Sequence, residues 1–373
     1  MKPKLLRLTT LFITMTMLAV LFVGAAGSQG AAVAAPPAGQ PAALTQAEAG
    51  GGNVSTKSAP GWTAATRPWT KEEMLAAKPY PIKSPAGEPA FDITPVVPDG
   101  KPGFIPSALP ADAQGAVVSG EPDLLEITSP LGYTYPPPFT RYNNFDRYWR
   151  FPYITIGRLF FTQYGVNYSC SASSIGNYAI WTAGHCVHAG DNLYSGWSYN
   201  VAFVPIYTDG AARYGTWLGF TLWTTGSWYS SSDLRYDMGG VVLNTLNGLK
   251  ISQVVGNLGF AYNQSSNLHW FSFGYPAAAP FSGKWMVICA SSYAYSDTSM
   301  GSPYPVGVGC DQTGGSSGGP RIWKLYGSAG ATNYLNGHND YRYIVPDHPQ
   351  EMFSPYFGSA AFSLWSDLVT DTP

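Results

Sequence analysis

Three short segments carry residues that could do chemistry together. They are Trp181-Thr182-Ala183-Gly184-His185-Cys186, then Tyr236-Asp237 with the apolar run 238–243, then Thr313-Gly314-Gly315-Ser316-Ser317-Gly318-Gly319-Pro320. A serine hydroxyl is a weak nucleophile at neutral pH and needs an adjacent base. A histidine can take that proton and return it to a leaving group. An aspartate can hold the imidazole in one tautomer and stabilise its cation. Glycines beside the serine allow a backbone that aims amide N–H groups at a developing oxyanion. Together these types would perform acyl transfer. The chain has five histidines, His185, His188, His269, His338 and His348. Of these, His185 sits in a complete motif beside a cysteine. Of the two adjacent serines, only Ser317 runs directly into Gly-Gly-Pro.

The segment 182–186 resembles the histidine motif of the chymotrypsin-like, or trypsin-like, serine peptidases. Gly315 to Pro320 resembles that family's serine motif, and the order His, Asp, Ser is the family's order. The resemblance covers about residues 152–373. It implies an all-β fold of two antiparallel β-barrels with the active site in the cleft between them. His185 and Asp237 would stand on the first barrel and Ser317 on the second. His185 would be the base, Asp237 its orienting carboxylate and Ser317 the nucleophile. The N–H groups of Gly315 and Ser317 would form the oxyanion hole, and no metal or cofactor is called for. Asp237 is preferred to Asp233 because the apolar run after it is like the strand that follows the family's aspartate.

The sequence departs from the family in places. Classical members have aspartate before the nucleophile, where it pairs with a newly freed N-terminal amine. Here that residue is Ser316, so that switch does not carry over. Thr313 to Gly318 is closer to the secreted bacterial branch that includes glutamyl endopeptidases. Three residues are specificity candidates. Asp311 lies six residues before Ser317, as in trypsins that bind Lys or Arg, although Cys310 lies seven before it and not the usual four. His338 could form the far pocket wall and suit acidic side chains. Gln312 stands where the glutamyl enzymes have threonine.

Two other functions fit parts of the pattern. Gly315-x-Ser317-x-Gly319 matches the nucleophile elbow of a secreted α/β-hydrolase esterase. That fold needs the order Ser, acid, His, with His338 or His348 as base, and alternating strands and long helices. A catalytically silent peptidase-like binding module is the other, and the three intact residues distinguish the enzyme from it.

The elements that must position these residues read as strands. Candidates are Ile154–Phe161, Asn167–Ile175, Tyr178–Trp181, Val201–Tyr207, Thr216–Trp223, Gly239–Leu243, Trp270–Phe273 and Trp285–Cys289, with a Gly176-Asn177 turn. A C-terminal helix is expected around Ala360 to Leu368. The barrels are expected over 151–255 and 256–373.

Composition agrees. Of 373 residues, 15% are aromatic and only 11% are charged, with a formal net charge of -2. An ordinary soluble domain is roughly 25% charged. That excludes phosphate neutralisation of nucleic acid and heptad-built coiled coils. The N-terminus reads as a secretory signal over 1–34. Lys2, Lys4 and Arg7 precede an apolar stretch, which ends at Ala32-Val33-Ala34. Its removal takes three basic residues and leaves 17 against 22 acidic ones. The product is expected to be extracellular, monomeric and free of the membrane, acting on proteins or peptides.

Residues 35–150 read as a mostly extended pro-region or linker. The first 150 residues hold 20 of the 31 prolines but 14 of the 55 aromatics. One helix is expected there, with Thr70 and Glu73 as a capping box. A cut between about 110 and 152 is expected, and the pro-region could cover the cleft as an intramolecular inhibitor. Cys170, Cys186, Cys289 and Cys310 suit two disulfides after export. Four cysteines allow three connectivities, and chain order favours Cys170–Cys186 with Cys289–Cys310.

Overall fold

The computed structural model describes residues 55–58, 68–113, 137–143, 149–344 and 350–373. The expected signal segment, 1–34, and His348 lie outside the described residues.

Six strands close the first barrel. They are β1 (Ile156–Gln163), β2 (Val166–Gly176), β3 (Ala179–Ala183), β4 (Tyr199–Pro205), β5 (Trp217–Thr225) and β6 (Met238–Leu243). Their hydrogen-bonded order is β5-β6-β3-β2-β1-β4, and β4 pairs back onto β5. Alternation places Leu159, Phe161, Ile180, Val201, Phe203, Leu222 and Val241 in the barrel's own core. Their neighbours Phe160, Trp181, Ala202, Val204 and Val242 face outward into a second core. Both faces are buried, so these strands read as apolar runs more than as alternating ones. Each large side chain so buried stabilises the fold by roughly 1.5–3 kcal/mol. The turn between β2 and β3 falls at Gly176 and Asn177, both with positive φ, 136° and 45°.

The second sheet contains β7 (Gly259–Tyr262), β8 (His269–Gly274), β9 (Val287–Asp297), β10 (Val306–Gly309), β11 (Pro320–Trp323), β12 (Tyr334–His338) and β13 (Glu351–Ser354). Its order is β13-β10-β9-β8-β11-β12-β7. Pairing is antiparallel except between β7 and β12. Phe260, Phe273, Tyr275 and Leu335 from this sheet join Phe160 and Trp181 in the shared core. The C-terminal helix Ser359–Thr370 seals that core with Ala361, Leu364, Trp365 and Leu368. It is the longest helix among the described residues, so the alternating α/β pattern of the esterase reading is not met.

The described part of residues 35–150 is more structured than its composition implied. The Thr70–Glu73 capping box forms as expected, with Glu73 N–H donating to Thr70 Oγ1 at 3.2 Å. The helix Lys71–Ala76 buries Met74. Further segments add strands to both sheets. Ser55–Lys57 pairs with β5, Lys78–Pro79 with β2, Gly103–Ile105 with β7, and Phe91–Asp92 and Thr140–Tyr142 with β9. A proline-rich segment cannot build its own core, but it can complete sheet edges supplied by another segment.

Both expected disulfides form, Cys170–Cys186 and Cys289–Cys310. The first closes a separation of 16 residues. Cys170→Ala combined with Cys186→Ala is expected to lower unfolding free energy by about 3 kcal/mol. The check is the urea midpoint against wild type. An unchanged midpoint would show that this link adds no stability.

Candidate active site

Antiparallel pairing of β3 with β6 brings two of the candidate residues together. Met238 stands opposite Ala183, so the turn after β3 and the residue before β6 share one end of the barrel. His185 lies in the short turn Gly184–Cys186 and Asp237 just ahead of β6. Asp237 Oδ2 is 2.8 Å from His185 Nδ1, and Asp237 Oδ1 accepts the His185 backbone N–H at 2.7 Å. Both side chains are fully buried. Asp233, the rejected candidate, caps the neighbouring turn and pairs with Arg235 at 2.7 Å.

Ser317 lies in the turn between β10 and β11. Ser171, beside the Cys170–Cys186 disulfide, fastens that turn to the first barrel. Its N–H donates to Ser317 O at 2.8 Å and its hydroxyl to Gly315 O at 2.9 Å. The turn approaches the histidine segment so closely that a Cβ at Gly318 would lie 2.0 Å from Thr182 Oγ1. Gly318 and Gly315 both take positive φ, 78° and 93°, which glycine adopts without strain. Ser317 Oγ and His185 Nε2 are both buried, and neither has a hydrogen-bond partner.

A strap, residues 78–83, fills the cleft. Tyr80 stacks on the His185 ring at 5.0 Å between centroids. The Gly315 N–H donates to the Tyr80 carbonyl at 3.1 Å. Tyr80 N–H donates to Ser169 O at 3.0 Å, and its hydroxyl donates to Gln163 at 2.9 Å. The strap then reaches the second sheet, where Arg342 N–H donates to Lys83 O at 3.1 Å. It runs parallel both to β2, through Lys78–Pro79, and to Tyr341, through Lys83.

The electrostatics follow from burial and pairing. Burial pulls His185 toward its neutral form, but the Asp237 charge and hydrogen bond, with Asp340 beside them, raise its pKa above the ordinary value. Burial pushes Asp237 up, yet His185 and the Lys83 charge hold it below the ordinary carboxylate range. Two groups of potential metal ligands surround His185. In one, Cys170 and Cys186 are joined as a disulfide, so no thiolate is available. In the other, His185 Nδ1 is already bonded to Asp237.

The three specificity candidates part company here. Asp311 pairs with Arg141 at 2.5 Å. Gln312 is committed internally. Its amide N–H groups donate to Ser272 O and Val287 O, both at 3.1 Å, and its Oε1 accepts from Asn339. His338 is buried between Trp181 and the Asp237 backbone. Trp181 Nε1–H donates to His338 Nδ1 at 3.2 Å, which leaves Nε2–H to donate to Asp237 O at 3.0 Å. Burial pushes its pKa down to about 3, so it is a neutral internal strut behind Asp237. Sequence reading missed Tyr80 and Asp340, because neither lies in one of the three motifs.

No protein-family model and no curated protein matches the chain. Solved structures do. The protease Anisep from Arthrobacter nicotinovorans is 35% identical, with a TM-score of 0.52 over 58% of this chain and 96% of that one. The thermostable serine protease AL20, from an extremophilic microorganism, is 33% identical, with a TM-score of 0.53 over 58% of this chain and 98% of that one. With that likeness spanning nearly the whole of both proteases, the chain belongs to the chymotrypsin-like serine endopeptidases.

Proposed function

We propose that the chain is exported as a latent precursor, and that its processed form hydrolyses peptide bonds through an acyl-enzyme on Ser317. His185 takes the Ser317 proton and later passes it to the leaving amine. Asp237 fixes the imidazole with Nδ1–H toward itself and Nε2 toward the serine. The Gly315 and Ser317 amides stabilise the tetrahedral oxyanion, each donor contributing about 3–4 kcal/mol. The observation that carries this reading is the Gly315 amide holding a carbonyl oxygen beside the His185 ring. That carbonyl belongs to Tyr80, and the bond after it leads to Pro81, whose ring crowds the nitrogen that would have to leave. The strap therefore fills the site as an inhibitor would, while removal of residues 35 to about 150 empties it.

A fluorophosphonate probe with peptide mapping tests the assignment. Processed protein is expected to carry one label, on Ser317. Absence of label, or label at another residue, would defeat the reading. Sequencing the N-terminus of the same material locates the cut, expected between about 110 and 152.

A further inference from the structure

A second carboxylate shares the buried imidazole. Asp340 follows β12 and is held by its backbone, with N–H donating to Phe353 O at 3.0 Å. The preceding residue, Asn339, exchanges backbone hydrogen bonds with the serine turn, donating to Gly319 O at 2.9 Å and accepting from Gly318 N–H at 2.7 Å. Asp340 is fully buried, and its Oδ1 lies 3.4 Å from His185 Nδ1. His185, Asp237 and Asp340 each place a polar atom within 4.8 Å of the others. Neither Asp340 oxygen accepts a hydrogen bond.

Two carboxylates this close in a dry site cannot both stay charged. The surroundings decide which keeps the proton. Asp237 receives two N–H groups from His185, at 2.7 Å and 2.8 Å. Asp340 receives none. The other charged or titratable groups facing the pair are Arg321 of β11, Tyr341, neutral His338, and Tyr80 and Lys83 of the strap. Arg321 spends two N–H groups on the carbonyls of Val306 and Met352, at 2.8 Å and 2.6 Å. Lys83 acts on Asp237 and departs with the pro-region.

We propose that Asp340 is a positioning residue, kept as the neutral acid, whose O–H donates to the Asp237 carboxylate and holds it on His185 Nδ1. Burial first and the Asp237 charge second raise its pKa well above the ordinary value, in agreement with this geometry. The donor comes from the second sheet and the acceptor from the first barrel. The hydrogen bond would therefore tie the orientation of the acid–base pair to correct docking of the two halves.

This inference rests on the proposed Ser317 mechanism, and three variants of the processed enzyme with one spectrum test it. Asp340→Ala is expected to lower kcat roughly ten- to a hundredfold with KM little changed, because Asp237 loses a charge-assisted donor. Asp340→Asn keeps a donor without a charge and is expected to recover most of that loss. It should also leave the acid limb of the kcat/KM profile in place. An anionic Asp340 would instead support the His185 cation, so its loss would move that limb to lower pH by roughly one unit or more. Such a movement overturns the proposal, as does an alanine variant within threefold of wild type. If the alanine variant does not fold, the asparagine profile decides. Infrared difference spectra of wild type against Asp340→Asn at neutral pH should show a protonated carboxyl band, and its absence also overturns the proposal. The band is independent of turnover. Band present with an active Ser317→Ala sinks the mechanism alone, and band absent with an inactive Ser317→Ala sinks the Asp340 role alone.

Discussion

Ser317→Ala is expected to reduce kcat about a millionfold, leaving KM close to wild type. The nucleophile is lost outright, whereas the substrate is held by the rest of the cleft. Residual turnover above water would come from the Gly315 and Ser317 amides and from binding. His185→Ala should cost about as much, and the double variant little more, because serine and base act as one unit. Steady-state peptide hydrolysis by processed, correctly folded protein is the measurement. Retention of a tenth of wild-type kcat would remove Ser317 from the mechanism. Ser316→Ala is the internal control, since Ser316 is buried in the same turn and lacks the Gly-Gly-Pro that follows Ser317.

The second large effect concerns latency. Uncut chain is expected to react with the fluorophosphonate at least about 100-fold more slowly than processed chain, the ratio when the cleft is vacant one time in a hundred. The strap is anchored at both ends, by Lys78–Pro79 on β2 and by Lys83 on the segment after β12. Between them the Tyr80 ring covers His185 and its carbonyl takes the Gly315 amide. Tethering makes this occupation intramolecular, so dilution does not weaken it. Tyr80→Ala removes the ring stacked on His185 and the bond to Gln163, and should bring the uncut chain part of the way toward the processed rate. Equal labelling of cut and uncut wild type would show that the strap is not an inhibitor.

The sequence was most legible where chemistry demands a run of specific types. The histidine and serine segments each hold glycines that close packing requires, as Gly318 against Thr182 illustrates. The first barrel was legible too, because its strands are buried on both faces and rich in apolar and β-branched residues. The second sheet was harder. Val306–Gly309, Pro320–Trp323, Tyr334–His338 and Glu351–Ser354 are four or five residues each and carry Gly, Pro, Asn or Glu that read as turn or loop. They are strands because neighbours on both sides supply hydrogen bonds, which outweighs weak propensity. Trp285, expected to begin a strand, is instead exposed outside one.

Thus the sequence by itself determined the residue types of the candidate acyl-transfer site, their order, the two local disulfides and the capped Lys71–Ala76 helix. Each depends on neighbours within a few residues or on a short loop. Tertiary structure alone decided that His338 braces Asp237, that Asp340 faces the same imidazole, and that Tyr80 lies in the cleft. Those pairings join residues 101, 155 and 105 positions apart. At such separations no spacing rule applies, and only the packing of one sheet against another, in a dry interior where each polar group needs a partner, selects who meets whom.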